Sequence, residues 1–402
     1  MKTLNFLMTT TFYPPYHVGG DAIHVKWLAE ELARQGHEVH VMFSLDAYEV
    51  KRGRVSEVDI EPGTVHLHPL RSPRGRLEIF LTYLRGQSAY FSREFERLLK
   101  EVSPDVVHHH NISLLGYDLL RKRASYLNLY TAHDYWLICQ RNDLFRKGHL
   151  CTGKRSSAAC AICALRSHRP PQFWRRERAF SHAMWDVDLA IAPSNYVCNT
   201  LAEKTWLPVV TIPNFVPYPP KDIPPSGFSD YFLYVGVLER PKGIMELLEL
   251  FRDHWREIGA RLLLAGTGSL EKRLRAYVKN NDLEDVVRLL GWCDQNNLYP
   301  LYRDAYALVM PSIWMENAPL VALEALSVGT PVLASNMGGL PEIVGLQGQG
   351  FACHPGHLRD ALIRVRNASP DREQLQDIYQ RHFSPQQFTS RYLKLVMERR
   401  HE

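Results

Sequence analysis

Two glutamates lie eight residues apart in a segment that also contains a run of apolar residues. Glu316 and Glu324 flank Pro319, after which leucine and valine side chains follow. Proline is favoured in the first turn of a helix, so the pattern predicts a helix that begins near residues 317–319. The free N–H groups of such a helix end attract anions, and carboxylates accept hydrogen bonds from hydroxyls. The segment therefore indicates a ligand with phosphates and sugar hydroxyls, whereas an arbitrary glutamate pair more often belongs to a solvated helix surface.

The wider segment, residues 311–342, resembles the donor-sugar motif of the retaining GT-B glycosyltransferases of family 4, the group related to sucrose and glycogen synthases. The residues that carry the resemblance are Pro311, Ser312, Glu316, Asn317, Pro319, Leu320, Glu324, Ala325, Gly329, Pro331, Val332, Gly338, Gly339, Pro341 and Glu342. It implies a nucleotide-sugar donor, a UDP- or GDP-sugar in the first place, and no catalytic metal. Glu316 then contacts the transferred sugar and Glu324 the ribose. The other donor contacts implied here are Asn317, Ala318, Pro319, Leu320 and Val321.

A glycine-containing loop near the amino terminus supports the same interpretation. Gly19 and Gly20 follow Tyr13-Pro14-Pro15 between a predicted strand and a predicted helix, which is where open α/β sheets bind ligands. Paired glycines let backbone N–H groups approach a phosphate closely, although a Gly-Gly pair alone is more often only a turn. In the family the corresponding loop faces the donor diphosphate, so the resemblance implies that Gly19 and Gly20 contact the donor.

A basic element occurs in the sequence YVGVLERPKGIMELLELF. Lys242 resembles the family lysine that neutralises the donor phosphates as the leaving group departs. The family often carries arginine directly after the first glycine, where this chain has Val237; Arg240 is the candidate for the missing charge. A surface Lys-Arg pair at a helix start is the alternative. Further contacts to the nucleotide are expected at Gly266, Gly268, Trp292 and Cys293, the last two beside the base.

For the acceptor side, two histidines follow predicted strands. His133 and Asp134 come directly after the strand LNLYTA, and His110 ends the run HHHN. An isolated histidine is usually structural, but His133 resembles the family histidine near the transferred sugar. We therefore expect His133 to act in catalysis, and Asp134 and His110 to line the acceptor pocket.

Four cysteines lie within 25 residues after the His-Asp pair. Their spacing ends in Cys-x-x-Cys, which lets two thiolates share one tetrahedral metal, and disulfides are improbable in a cytoplasmic loop. A structural zinc is the leading interpretation, with an iron–sulfur cluster or free thiols as alternatives. The residues concerned are Cys139, Cys151, Cys160 and Cys163.

The elements that position these residues alternate strand with helix, which predicts doubly wound parallel sheets. Strands are expected at 4–8, 38–43, 104–110, 127–132, 188–192, 231–235, 261–265, 286–290, 307–310 and 331–334, and a helix at 24–35. The fold class is thus α/β: a GT-B architecture of two Rossmann-like domains that face a central cleft. The expected domains are 1–212 with a cysteine-rich insertion at 139–163, then 213–384, then a terminal helix from 385 to 402 that packs back on the first domain. A proline-rich stretch, 208–225, is the expected linker.

Composition agrees with a globular enzyme. The 402 residues are 45% hydrophobic and 23% charged, with a formal net charge of +5. This mild charge argues against nucleic acid and is compatible with contact to an anionic membrane face. No apolar run approaches the roughly 20 residues of a membrane span, and the first residues lack a signal-peptide pattern. We expect a cytoplasmic protein with peripheral membrane contact. Basic and aromatic residues suited to that contact, or to an anionic acceptor or a solvated face, are Arg166, His168, Arg169, Phe173, Trp174, Arg175, Arg176 and Arg178.

Together these observations predict a retaining glycosyltransferase that moves a sugar from a nucleotide donor to a hydroxyl of a glycan, lipid-linked or small-molecule acceptor. The resemblance implies front-face attack, with the departing diphosphate acting as base and Lys242 stabilising it. Two alternatives remain. A GT-B sugar-nucleotide epimerase needs no acceptor groove, and a non-catalytic nucleotide-sugar- or glycan-binding subunit needs neither His133 nor Lys242.

Overall fold

The computed structural model describes residues 3–55, 58, 63–146, 149–151, 156–348, 351–368 and 370–401. The chain forms two compact units. The first comprises Met1–Arg146, Cys151–Pro213 and Phe388–Glu402, and the second comprises Lys147–Leu150 and Asn214–Gln387. The first unit is therefore discontinuous, because its last segment follows the second unit in sequence.

The elements alternate along the chain. The strands are β1 (Asn5–Thr9), β2 (Glu38–Ser44), β3 (His66–Leu70), β4 (Val106–His109), β5 (Leu127–Thr131), β6 (Phe145–Arg146), β7 (His149–Leu150), β8 (Leu189–Ala192), β9 (Val209–Thr211), β10 (Tyr231–Val235), β11 (Arg261–Ala265), β12 (Val287–Gly291), β13 (Leu308–Met310), β14 (Val332–Ser335) and β15 (Ala352–Cys353). The helices are α1 (Gly20–Arg34), α2 (Leu45–Arg52), α3 (Arg76–Arg85), α4 (Ala89–Val102), α5 (Ser157–Arg166), α6 (Arg178–Trp185), α7 (Asn195–Ala202), α8 (Ile244–Ile258), α9 (Glu271–Asn280), α10 (Gln295–Asp304), α11 (Leu320–Ser327), α12 (Leu340–Val344), α13 (Leu358–Asn367), α14 (Arg372–His382) and α15 (Pro385–His401).

A parallel sheet organises the first unit. Its strand order is β3-β2-β1-β4-β5-β8-β9, so the chain winds outward from β1 to β3 and returns to β4 on the other side of β1. All residues of β4, β5 and β8 are buried, as expected for a parallel sheet covered on both faces. The reversal of direction between β1 and β4 is a topological switch point, where the carboxyl ends of the strands leave room for a ligand.

The second unit repeats this plan. Its sheet has the order β12-β11-β10-β13-β14-β15, with the switch point between β10 and β13. The amphipathic helix α8 buries Leu247, Leu248 and Phe251 in a core that also holds Phe232 of β10 and Leu262 of β11. Each unit is thus a doubly wound α/β domain, as the alternating sequence pattern predicts.

Several elements begin or end at other residues than the sequence predicts, and strand β3 was not expected. Helix α1 begins at Gly20, four residues earlier than expected, after Gly19 with φ 94°. Helix α11 begins at Leu320, one residue beyond the predicted range. Strand β3 was not predicted, because it contains Pro69, which lacks the N–H that a central strand would need. The strand lies at the edge of the sheet, where proline is tolerated.

The proline-rich stretch 208–225 is not a free linker. Its first part forms β9 in the first sheet. The following residues are hydrogen-bonded within the second unit: the Tyr379 hydroxyl donates to the carbonyls of Val216 and Pro217, both at 3.0 Å, and the N–H of Val216 donates to the carbonyl of Phe383 at 3.3 Å. The change of unit falls at Pro213 and Asn214.

Among the helices that the structure describes, none has both the length and the apolar character needed to cross a membrane.

Candidate active site

The switch point of the second unit brings a lysine and a glutamate together. Lys242 ends a 3₁₀ turn after β10, and Glu316 lies in the loop after β13. The Nζ of Lys242 is 2.6 Å from Oε1 of Glu316, and the Ser312 hydroxyl donates to the same oxygen at 2.6 Å. The Trp314 ring lies beneath the ammonium, 5.1 Å from Nζ to the ring centroid. Two residues predicted separately therefore form one ion pair.

The ion pair is asymmetric in its exposure to solvent. The side chain of Glu316 is 6% exposed and that of Lys242 is 20% exposed. Burial alone raises the pKa of Glu316, but the Lys242 ammonium and the Ser312 hydroxyl outweigh it, so this pKa lies below its ordinary value. Glu316 is therefore an ionised, buried carboxylate, and Lys242 is the partner that solvent can reach.

Glycines allow the two loops to approach each other. Gly243 has φ 71°, and a side chain there would collide with the Pro311 carbonyl. Gly338, with φ 64°, packs against the backbone of Glu316 in the same way. Between the loops, the N–H of Ile313 donates to the Pro241 carbonyl at 2.9 Å. The backbone thus fixes the distance between the lysine and the glutamate.

Glu324 lies one turn inside α11. The Tyr302 hydroxyl donates to its Oε2 at 2.8 Å, and Nε2 of Gln295 lies 3.4 Å from Oε1. Burial raises the pKa of Glu324 above its ordinary value. The segment before the helix is held by Asn214, whose side-chain amide donates to the Ala318 carbonyl at 2.9 Å. Glu324 is therefore oriented by protein groups, with lone pairs left for a further donor.

The glycines after β11 have a structural explanation. A side chain at Gly266 would collide with the carbonyl of Gly236, and one at Gly268 would collide with the backbone of Leu238. The N–H of Leu238 also donates to the Thr267 carbonyl at 2.9 Å. The loops after β10 and β11 pack backbone to backbone, which accounts for the glycines. Their contact with a nucleotide stays a prediction.

The remaining donor-side candidates lie near the surface. Trp292 is 73% exposed, Arg240 is also exposed, and Cys293 is partly buried. Burial and the neighbouring Asp294 raise the pKa of the Cys293 thiol. The contact of Trp292 and Cys293 with the nucleotide beside its base stays a prediction.

In the first unit, histidines gather at the carboxyl ends of β4 and β5. Nδ1 of His110 is 3.0 Å from Nε2 of His133, with ring centroids 5.2 Å apart and planes 24° from parallel. His24, from α1, lies with its ring 5.2 Å from that of His133. His24 lies on the buried face of α1, which places its ring in this cluster.

A hydrogen-bonded chain supports this cluster from behind. The ring of His108 lies 4.1 Å from that of His110. Its Nε2 is 2.8 Å from the Thr131 hydroxyl, and its Nδ1 is 2.9 Å from the hydroxyl of Tyr392 in α15. Burial lowers the pKa of His133 to about 4 and that of His110 well below its ordinary value. These imidazoles are neutral at pH 7, and they act as hydrogen-bonding groups rather than charges.

Asp134 and the glycine loop complete this edge of the first unit. Oδ1 of Asp134 accepts a hydrogen bond from the N–H of Trp136 at 2.8 Å, and burial raises the pKa of Asp134 to about 7. Gly19 precedes α1 and Gly20 is its first residue, and Asp21 in its first turn accepts a hydrogen bond from the Asn111 side chain at 2.8 Å. Asp134 thus has a turn-forming role, and its contact with an acceptor stays a prediction.

The four cysteines of the insertion line one cavity. Cys139, Cys151, Cys160 and Cys163 share this cavity with apolar residues such as Leu144. Part of the insertion, residues 147–148 and 152–155, lies outside the described residues. The four side chains line the same cavity, and metal binding by them stays a prediction.

Two residues of the basic and aromatic run lie inside the first unit rather than on its surface. Trp174 is 2% exposed. The Arg175 guanidinium lies 4.6 Å from the Trp174 ring centroid and donates to the Gln172 side chain at 2.6 Å. Neither is therefore available to a membrane, whereas Phe173, which is 66% exposed, is.

Sequence reasoning missed several groups that complete the site. Ser312 and Trp314 lie in the segment that we singled out, but nothing in their type shows that they contact the ion pair. Tyr302 and Asn214 act on α11 from distant positions. For His24, a histidine among apolar residues at helical spacing was the available signal.

Two doubly wound domains, one with an ion pair and one with neutral histidines at the strand ends, define a GT-B α/β protein. The profile described as Glycosyltransferase Family 4 matches residues 18–218, and that described as Glycosyl transferases group 1 matches residues 221–382. The chain belongs to glycosyltransferase family 4.

Individual relatives agree with this assignment. An uncharacterized glycosyltransferase of Methanocaldococcus jannaschii is 27% identical over 369 residues, which cover 88% of this chain and 85% of the relative. The structure of sucrose-phosphate synthase from Thermosynechococcus elongatus superimposes with TM-score 0.71 at 20% identity, over 98% of each chain. The catalytic domain of starch synthase IV from Arabidopsis thaliana, bound to ADP and acarbose, gives TM-score 0.69 at 13% identity over the full length of both.

Proposed function

We propose that this glycosyltransferase uses a nucleotide-sugar donor, with UDP- and GDP-sugars as the first candidates, and transfers the sugar with retention of configuration. The acceptor is a hydroxyl of a glycan, a lipid-linked sugar or a small molecule, in polysaccharide or glycoconjugate biosynthesis. The observation that carries the proposal is the Lys242–Glu316 ion pair at the switch point of the second unit.

The donor diphosphate is assigned to the second unit. The N–H groups of Leu320 and Val321 at the start of α11 hold phosphate oxygens, and the helix dipole adds to this attraction. Lys242 neutralises the negative charge that grows as the diphosphate leaves. Glu316 holds Lys242 in place and accepts a hydrogen bond from the sugar. Glu324, oriented by Tyr302, accepts one from the ribose.

The reaction needs no carboxylate nucleophile. Glu316 is bound to Lys242 and Ser312, which suits a group that positions the donor. The acceptor hydroxyl attacks the face from which the diphosphate departs, and the diphosphate takes its proton. In the first unit, His133 offers a neutral imidazole to a sugar hydroxyl, while His110 and Asp134 line the acceptor side.

The cysteine cavity is assigned to one structural zinc. Four thiols on one cavity suit tetrahedral coordination, and structural zinc sites with four protein ligands are stable. Zinc would be held by Cys139, Cys151, Cys160 and Cys163. Elemental analysis of protein purified without chelators should find zinc that Cys163→Ser loses. Protein without zinc or iron, and with four thiols open to a thiol reagent, would show ordinary free thiols.

We also propose a cytoplasmic protein with peripheral membrane contact. Phe173, Arg176 and Arg178 are exposed next to one another in sequence, and an aromatic ring beside cations suits an anionic interface. Sedimentation with vesicles rich in anionic lipid should fall when Phe173 and Arg176 are replaced by alanine. Equal sedimentation of both proteins would contradict this contact.

A donor panel tests the enzymatic proposal. Thermal shifts with UDP-, GDP-, ADP- and TDP-sugars identify the base and the sugar. The best donor is then incubated with and without acceptor mixtures, and the anomeric configuration of the product is read by NMR. An inverted product would refute retention. An isomerised nucleotide sugar formed without acceptor would identify an epimerase instead.

A further inference from the structure

A second cluster of potential ligands lies on the first sheet, away from the residues discussed above. Glu38 and His40 lie on β2 and His66 on the neighbouring edge strand β3, where His40 and His66 are paired in register. One ligand atom from each of these residues lies within 4.8 Å of the other two. The ring centroids of His40 and His66 are 4.6 Å apart with nearly parallel planes. All three side chains therefore point to the same face.

We propose that Glu38, His40 and His66 bind one zinc ion that joins the edge strand β3 to β2. Two imidazole nitrogens and a carboxylate oxygen are ligands that Zn²⁺ accepts, with a water in the fourth position. Glu38 and His66 are exposed, so an ion has a path from solvent. Glu38 supplies the negative charge that offsets the cation.

The surroundings of His40 support this assignment. Its Nε2 is 3.0 Å from Oε1 of Glu38, on the ligand side. Its Nδ1 is 2.9 Å from Nε2 of His68, on the protein side. Histidines that bind metals almost always donate their other N–H to an acceptor, which fixes the tautomer. His68 provides that acceptor through its Nε2, which lies within hydrogen-bond distance of Nδ1 of His40.

A proton chain without metal is the competing arrangement. His68 would donate to His40, and His40 would donate to Glu38, which satisfies the same three atoms. His66 takes no part in these two hydrogen bonds. The charged groups that face His68 from α4, Glu101 and Arg97, are bound to each other and serve neither arrangement. His66 is therefore the residue that separates the two interpretations.

The position of the cluster indicates a structural role. Glu38 is the first residue of β2 and His66 the first of β3, so the site lies toward the amino ends of the strands. His110 and His133 lie at the opposite, carboxyl ends. Among the strands that the structure describes, β3 pairs with β2 alone. An ion shared by the two strands would stabilise this edge without entering the chemistry of transfer.

The experiment measures metal binding by the intact protein. Chelator-treated protein is titrated with Co²⁺ as the spectroscopic substitute, and the bound equivalents and the d–d absorption are recorded. Nitrogen and oxygen ligands give no thiolate-to-cobalt charge transfer, which distinguishes this site from the cysteine cavity. Wild-type protein should bind one equivalent of this thiolate-free kind, and its Tm should rise with Zn²⁺.

Variants decide between metal and proton chain. His66→Ala and Glu38→Gln should each weaken this binding by at least about tenfold, and His68→Ala by about ten- to a hundredfold through loss of the orienting acceptor. The matched control is His254→Ala, which removes a histidine from another exposed His-Glu pair, with Nδ1 3.2 Å from Glu257. It should change nothing. The proposal is overturned if His66→Ala binds as the wild type does, or if wild-type protein shows only thiolate-bound cobalt.

Discussion

The two units share one fold, but the candidate site of the second unit is charged and that of the first unit is neutral. Each is a doubly wound parallel sheet whose candidate site residues follow the carboxyl ends of strands beside a switch point. In the second unit this place holds an ion pair, Lys242 with Glu316. In the first it holds imidazoles that burial keeps neutral, His110 and His133. Charges suit a diphosphate and neutral hydrogen-bonding groups suit sugar hydroxyls, so the difference matches the two kinds of ligand that we propose.

The sharpest test of the charged unit is Lys242→Met. Turnover should fall by about a hundredfold or more, because the lysine counts most when the diphosphate carries its full charge, while donor affinity changes less. Steady-state kinetics and calorimetry with the donor measure both. Lys272→Met, at an exposed position of α9, is the control. If the Lys242→Met enzyme is fully active, Arg240 or another cation stabilises the departing diphosphate.

This variant also leaves Glu316 buried without its partner, which lowers stability. The double variant Lys242→Met/Glu316→Gln separates the two effects. It should regain much of the lost Tm, since the unpaired charge is gone, but not the lost turnover. Recovery of turnover together with Tm would show that the ion pair is only structural.

The neutral unit should respond more weakly. His133→Ala should lower turnover by about ten- to a hundredfold, the range for one positioned group, and leave nucleotide affinity unchanged. The pKa of His133 is about 4, so this imidazole stays neutral between about pH 8 and 6. Its protonation therefore cannot cause a loss of activity in that interval. An acid limb in that interval that disappears in His133→Asn would break the comparison.

Glu324→Gln tests donor binding without chemistry. Loss of the carboxylate should weaken the binding of the free nucleotide and of the nucleotide sugar equally, by about tenfold. The reason is that a hydrogen bond to a charged group is worth about 1.5–3 kcal/mol. Glu271→Gln, on the surface of α9, is the control. If calorimetry finds the same nucleotide affinity in Glu324→Gln and wild type, Glu324 does not bind the ribose.

The smallest expected effect concerns Asp134. Its folded pKa, about 7, lies above its ordinary value, so its contribution to stability is present at low pH and is lost as pH rises through 7. Asp134→Asn keeps an oxygen for the Trp136 N–H. The Tm of Asp134→Asn minus the Tm of the wild type should therefore be about 2–4 °C larger at pH 8 than at pH 5. Asp21 and Arg175 also act on Asp134 and stay in place in both proteins. A Tm difference that is the same at both pH values would contradict the raised pKa.

Local sequence signals predicted most of the framework. The strands Tyr231–Val235 and Arg261–Ala265 fall at the residues expected from their apolar runs. Strand β9 escaped prediction because three residues inside a proline-rich stretch leave no visible period. Helix α1 begins before the predicted residue 24 because Gly20, which the sequence analysis places in a loop, is already helical.

The candidate site was predictable as a set of residues but not as an arrangement. Lys242 and Glu316 were each expected to act on the donor. Their pairing joins positions 74 apart in sequence, and the side-chain types alone do not encode it. The Tyr392–His108 hydrogen bond joins positions 284 apart. Such contacts arise from the packing of distant elements, which no local pattern records.

That last contact has a consequence for how the protein is made. Tyr392 belongs to the segment Phe388–Glu402, which completes the first unit only after Asn214–Gln387 has been translated. A nascent chain therefore carries the histidines of the first unit for the whole synthesis of the second without the tyrosine that supports His108. The first unit reaches its final arrangement late, after helix α15 has been synthesised, so a partly synthesised chain has an incomplete histidine cluster.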